Sequence, residues 1–255
     1  MKPAEIIKHI NDGAIFYLKF FGDAEHMEYH NNGVYSYIKP RDGEQGISFA
    51  FDIHLEGLPK DEQIKWIDDI KGLGMPVWWD LQSSAGLFRL IHDKEKEAVH
   101  GEPRDGDELY MAMFPNELRT ANIASDMLIK RVDNPADFAV WANLQNEILC
   151  GGYRDIHPEN HYKWCGKGLI DCYICFKENV AVAFSAVMNQ NGICSLEFVG
   201  THPDCRRQGF AKAVCFTALK NAFESGAKII TLRAINPGTK ELYTGLGFKI
   251  YNFAL

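Results

Sequence analysis

The chain has 255 residues, 46% hydrophobic and 24% charged, a composition that excludes disordered, collagen-like and membrane-spanning classes. This length fits one large domain or two of about 125 residues, and either can bury a core. The formal net charge of −7 argues against a nucleic-acid binder, which carries a basic face.

The charge is unevenly placed. Residues 1–125 hold 13 Lys and Arg against 22 Asp and Glu, whereas residues 126–255 hold 14 against 12. The second half is therefore free to hold an anion. Met1-Lys2-Pro3 opens a mixed polar stretch without the apolar core of a signal peptide. Clean apolar runs such as Val180–Phe184 are only of strand length, so no membrane association is expected. All seven cysteines (150, 165, 172, 175, 194, 205 and 215) lie in the second half. An odd number without a signal segment predicts reduced thiols and a cytoplasmic location.

In chain order, Gly46–Leu55 alternates like a strand. A turn at Glu56–Pro59, an amphipathic helix over Lys60–Ile70, a Gly-containing break and the apolar strand Met75–Trp79 follow. A polar stretch over His92–Asp107 precedes a domain border expected near Pro115–Ser125. Beyond it come a strand at Met127–Arg131 and a helix over about Ala136–Leu149, capped by Asp133-Asn134-Pro135. The strands Asp171–Phe176 and Val180–Met188 are joined by Lys177-Glu178-Asn179, which is hairpin chemistry. The strand Ile193–Val199, a turn at Thr201-His202-Pro203, a helix over Gly209–Glu224 and the strand Lys228–Leu232 complete a second strand–helix–strand unit. Its layout repeats that of the first half at an offset of close to 150 residues. Two related α/β halves would explain this, although the arrangement also recurs in unrelated α/β proteins. Each unit predicts a parallel pairing with a right-handed crossover.

The stretch from Leu196 to Lys212 carries the chemistry. A strand runs through a turn into a helix that opens with Arg206-x-x-Gly209-x-Ala211. A helix start offers amides without intrahelical acceptors and the positive end of the dipole, so it receives phosphate well. Gly209 and Ala211 permit close approach, and Arg206, Arg207 and Lys212 add positive charge. A surface helix with incidental basic residues would read the same way. After the next strand, Asn236-Pro237 opens a short helix that Gly245 and Gly247 stop, with Tyr243 two turns past Asn236 on the same face.

Together the two stretches resemble the GCN5-related N-acetyltransferase (GNAT) superfamily over about Met127–Leu255. The resemblance implies an α/β (α+β) fold with a mixed, curved sheet flanked by helices, splayed beside the strand that precedes the loop. It implies that Val199 and Thr201 offer backbone groups to pantetheine. Arg206, Arg207, Gln208, Gly209, Phe210, Ala211 and Lys212 would hold the pyrophosphate of acetyl-CoA, and Asn236 would belong to the same site. Tyr243 would return a proton to the leaving thiolate.

Because a primary amine is mostly protonated near neutral pH, the reaction needs a base. Glu197 stands where several family members carry a catalytic glutamate, and it is the one acid between Glu178 and Asp204. A Glu on the polar side of a half-exposed strand is the alternative. Gly200 interrupts the strand as a bulge would.

The first half lacks the loop: Leu58-Pro59-Lys60-Asp61-Glu62-Gln63 has no Gly and carries two acids where phosphate would lie. The expectation is a tandem: residues 1–120 as a degenerate acetyltransferase-like domain, and 126–255 as the acetyltransferase. The expected acceptor is a small-molecule or peptide amine, with no nucleic acid, membrane or metal, and with the choice of monomer or homodimer open. A non-catalytic acyl-CoA-binding protein on the same fold is the competing class. Tyr153, Tyr162 and Trp164 would either line an acceptor pocket or simply pack.

Overall fold

The computed structural model describes residues 1–77, 109–152, 154–234 and 237–251. Trp78, Trp79, the polar stretch His92–Asp107, Tyr153 and Asn236 lie outside the described residues. Residues 1–17 with 109–251 form one compact unit, and residues 18–77 belong to another.

The first element is one that the sequence reading did not anticipate. Helix α1 (Pro3–Gly22) gives residues 3–17 to the first unit and 18–22 to the second. Its buried Ile6, Ile10, Ala14, Leu18 and Phe21 recur at helical spacing, which is the signal that could have revealed it.

In the second unit, β1 (Met27–Asn31), β2 (Ser36–Pro40) and β3 (Phe49–Phe51) form an antiparallel sheet. The strand expected over Gly46–Leu55 is thus only three residues long. It ends where Asp52 turns left-handed at φ +56°. Helix α2 (Lys60–Gly72) follows, and Val77 then makes a parallel bridge with Ala50, as the expected parallel pairing requires. Tyr35, Ile53, Leu55, Ile67 and Ile70 close this core.

The first unit is built on a seven-stranded sheet. Its strands are β4 (Leu109–Met113), β5 (Met127–Arg131), β6 (Ile170–Lys177), β7 (Val180–Gln190), β8 (Ile193–Thr201), β9 (Ile229–Ala234) and β10 (Lys249–Ile250). They lie in the order β10-β4-β9-β8-β7-β6-β5. Only β8 and β9 are parallel; the other neighbours are antiparallel. Leu109–Met113 precedes the border expected at 115–125, yet it is a strand of this sheet, between β9 and β10. The β6–β7 hairpin turns through Glu178 and Asn179, both at positive φ, the conformation of a two-residue turn matched to strand twist.

The helices of this unit are α3 (Pro135–Leu149), the single turns α4 (Pro158–His161) and α5 (Lys163–Gly166), α6 (Phe210–Glu224) and α7 (Lys240–Leu246). Asn134 caps α3, accepting from the Asp137 amide at 2.9 Å. Helix α6 packs on β6, β7 and β8 through Phe210, Val214, Ala218 and Leu219, and α3 packs on β6, β7 and β8. Gly245 lies inside α7, and Gly247 at φ +118° ends it, so only the second glycine is the stop. A Cβ on Gly247 would overlap the Glu117 carbonyl oxygen. No described helix is long and apolar enough to cross a membrane.

Candidate active site

Between β8 and β9 the parallel ladder runs from Ile193–Ile229 to Ser195–Thr231. Beyond that pair the two strands no longer pair with each other, although β8 continues to Thr201 and β9 to Ala234. The sheet is splayed here, as expected.

The irregularity of β8 lies two residues earlier than Gly200. Phe184 pairs with Gly200 and Ala186 with Glu197, so Phe198 and Val199 together oppose Ser185. That is a bulge, with Phe198 left-handed at φ +52°. A bulky residue in this conformation costs about 1–3 kcal/mol and persists only where its surroundings hold it. Here the Phe198 ring packs edge-on against Trp141 at 5.3 Å and tilted against Tyr17 at 5.0 Å. The Trp141 indole also donates to the Ser185 carbonyl at 3.2 Å, satisfying a group the bulge leaves without its ladder partner. Gly200 is required for space instead, since a Cβ there would come within 2.5 Å of Phe184 Cε1.

Val199 thus sits in the bulge, beside the splay. Thr201 still pairs with Ala183, and its carbonyl accepts from Arg206 Nε at 3.3 Å. The chain then turns through Pro203–Cys205, with Arg207 left-handed at φ +61° and Gly209 at φ +90°. Left-handed residues at short spacing fold consecutive amides into anion-binding concavities. Helix α6 starts with no side chain capping it, so its first amides and its dipole point at the same place.

Arg206, Arg207, Gln208, Gly209 and Lys212 are exposed there, with Ala211 partly buried. Gln208 is held by Lys177 Nζ at 3.2 Å on its Oε1 and by the Asp204 carbonyl on its Nε2. Phe210 is buried, with Lys177 Nζ 5.7 Å from its ring centroid. Lys212 Nζ lies 3.8 Å from where a Gly245 Cβ would be, so the two sequence stretches meet at α6 and α7.

Glu197 is partly buried on β8. Burial pushes its carboxyl up to about 7, against the opposing Arg233 charge and the Ser195 hydroxyl. Tyr243 is buried, its ring edge-on to Phe248 at 6.0 Å. Burial, with smaller contributions from Cys215 and Glu197, raises its phenol far above the ordinary value, so it keeps its proton at neutral pH.

The sequence reading missed Tyr17 and Arg233: the Arg233 charge holds the Glu197 carboxyl down, and Glu197 raises the Tyr17 phenol while Arg233 lowers it. Arg233 is the one charged residue of β9, as Glu197 is of β8, and those two exceptions on neighbouring strands are a signal legible in the sequence. Tyr162 packs on Phe138 at 5.6 Å and donates to the Asp133 carbonyl at 3.2 Å, and Trp164 packs on Phe16 of α1 at 5.0 Å. Among the described residues, no group of three or more His, Cys, Asp and Glu is placed to hold a metal ion.

Comparison of the sequence with curated proteins found no match. Among solved structures, the chain resembles a GCN5-related N-acetyltransferase from Kribbella flavida, at 17% identity and TM-score 0.65 over 94% of this chain and 91% of that one. A GCN5-related N-acetyltransferase from Sphaerobacter thermophilus gives 14% and 0.63, over 87% and 79%. A Drosophila protein gives 10% and 0.59, over 98% and 94%. At these identities the likeness is one of fold. The model of the acetyltransferase (GNAT) family matches residues 138–248, spanning α3, the bulged strand, the helix start at Phe210 and Tyr243. Residues 138–248 are therefore an acetyltransferase (GNAT) family domain within the chain.

Proposed function

We propose that the protein transfers an acetyl group from acetyl-CoA to a primary amine by direct attack within a ternary complex. The observation that most supports this reading is a Glu197 carboxyl near 7, beside the end of the β8–β9 ladder, whose charge acts on the protonated Tyr243 phenol; the uncapped cationic start of α6 is consistent with it. The exposed amides and charges over Arg206–Lys212 suit a pyrophosphate, and Val199 beside the splay suits the amide-bearing pantetheine arm.

Acetyl-CoA supplies the activated thioester. Glu197 takes a proton from the ammonium form of the acceptor, freeing the nitrogen lone pair. As the nitrogen–carbon bond forms and the carbon–sulfur bond breaks, Tyr243 donates its proton to the departing sulfur. The second proton shed by the nitrogen as the amide becomes neutral restores the phenol, while Glu197 passes its own to solvent. The Arg233 charge keeps the Glu197 carboxyl from rising further, so a useful fraction is ionised at neutral pH. The first half is proposed as a degenerate acetyltransferase-like domain that takes no acetyl-CoA. Its turn before α2 carries Asp61 and Glu62 in the first helical turn.

Release of the CoA thiol with a panel of primary amines, including spermidine, an arylalkylamine and a lysine peptide, tests the activity. Amine-dependent release that Tyr243→Phe slows is the expected result. Acetyl-CoA binding without turnover across the panel would favour a non-catalytic acyl-CoA-binding role.

A further inference from the structure

Helix α1 crosses the sheet where β8 and β9 part. A Cβ on Gly13 would lie 3.1 Å from Ser195 Cβ and 3.4 Å from Thr231 Oγ1, and these residues form the last pair of the parallel ladder. Glycine inside a helix costs about 1 kcal/mol relative to alanine. Here it brings the helix backbone against the strands. Gln190 Nε2 donates to the Asp12 carbonyl at 3.3 Å, and Phe16 rests on Trp164.

One turn past Gly13, Tyr17 lies with its ring 5.0 Å from that of Phe198, the left-handed residue of the bulge. It is partly exposed, as is Glu197, the next residue back along β8. The charged and titratable groups facing the Tyr17 phenol are Glu197 on β8, Arg233 on β9, and Cys150 and Asp155 after α3. Asp155 is held by its neighbour: Asn146 donates to the Ile156 carbonyl at 2.9 Å and accepts from its amide at 3.0 Å. None of residues 3–17 falls within the family domain at 138–248. A residue from outside that domain therefore stands at its proposed base.

We propose that α1 forms a wall of the acceptor side of the site, and that Tyr17 is the residue on it that contacts the amine beside Glu197. This rests on the acetyl-transfer reading above. A neutral phenol oxygen accepts from one N–H of the acceptor while Glu197 takes another. The nitrogen lone pair is thereby turned toward the splay, where the thioester would lie. Such a contact is made both before and during reaction, so its loss appears mainly in the acceptor KM.

The test is steady-state kinetics with an amine that supports thiol release, for wild type, Tyr17→Phe and Glu197→Gln, with acetyl-CoA affinity measured by calorimetry on each. Tyr17→Phe removes one hydroxyl and keeps the ring on Phe198. The expected result is an acceptor KM raised about 3- to 10-fold, the worth of one hydrogen bond. Its kcat should stay within about 2-fold and its acetyl-CoA affinity should be unchanged. Tyr17→His, which retains a hydrogen-bonding ring, should recover part of the acceptor KM.

An unchanged acceptor KM in Tyr17→Phe overturns the proposal. A parallel loss of acetyl-CoA affinity also overturns it, since that marks Tyr17 as packing alone. Glu197→Gln at the wild-type rate would remove the base reading, while the Tyr17→Phe kinetics would still decide on α1. No turnover with any amine overturns both.

Discussion

A carboxyl that titrates near neutrality inside a fold is a compromise between chemistry and stability. Burial lifts Glu197 from about 4.5 to about 7, so its charged form is disfavoured in the folded chain. Its contribution to stability is present below the unfolded value and is lost as pH rises through about 7. Glu197→Gln should therefore melt like wild type near pH 4 and be more stable at pH 8 by about 1–3 kcal/mol, as calorimetric or denaturant unfolding would measure. The rate profile runs the other way. Below about pH 7 the wild type and Glu197→Gln should both gain activity with rising pH, so the ratio between them stays flat. Above it the wild-type base is fully ionised while the free-amine fraction keeps growing, so the deficit of the variant should shrink toward pH 9.5. Tyr243→Phe should behave differently, because the buried phenol holds its proton across this range. Its deficit, about 100-fold at the lower end for a lost general acid, should be flat from pH 6 to 9.5. Acetyl transfer by the three proteins over that range separates the roles, and equal flat deficits would make Glu197 structural.

At the scale of elements, the bulge depends on neighbours remote in sequence. Trp141→Phe deletes the donor to the buried Ser185 carbonyl and leaves a gap beside Phe198. A loss of about 2–3 kcal/mol is expected, together with weaker acetyl-CoA binding, and unfolding and calorimetric titrations check both. Gly200→Ala, which presses a methyl into the Phe184 ring, should also destabilise, by about 1–3 kcal/mol.

The same dependence explains what sequence reading can reach. The strands Met127–Arg131, Ile170–Lys177 and Val180–Gln190 and the helices α3 and α6 are legible because period, turn residues and caps agree along each stretch. The helix start at Arg206–Ala211 is legible from local chemistry. Glycine is the local sign of irregularity and points to Gly200, whereas the aromatic contacts of Trp141 and Tyr17 set the bulge at Phe198. β1 escapes sequence reading because Met27–Asn31 is polar and mostly exposed, and a strand of that kind carries no alternation to read.

For the molecule as a whole, the uncapped helix start at Phe210, with its basic flank, has no counterpart before α2, where the first turn is acidic. Titration of the intact chain with acetyl-CoA should therefore give a stoichiometry near one, and a value near two would sink the assignment of the first half. Gly209→Asp sets a carboxylate, in a left-handed residue at φ +90°, against both the helix dipole and the ligand charge, so binding should be lost. Wild-type affinity in that variant would displace the loop from the site.

The place of β4 in the sheet also orders events during synthesis. Its partners, β9 and β10, are translated more than a hundred residues after it, whereas β5 to β8 pair with strands close behind them. At about 5–20 residues per second, Leu109–Met113 waits several seconds on the ribosome with both edges open. Four of its five side chains are destined for burial, so the waiting strand is an adhesive one. Nascent chains stalled before residue 229 should be cleaved by protease around β4 and retained by chaperones, while full-length chains resist.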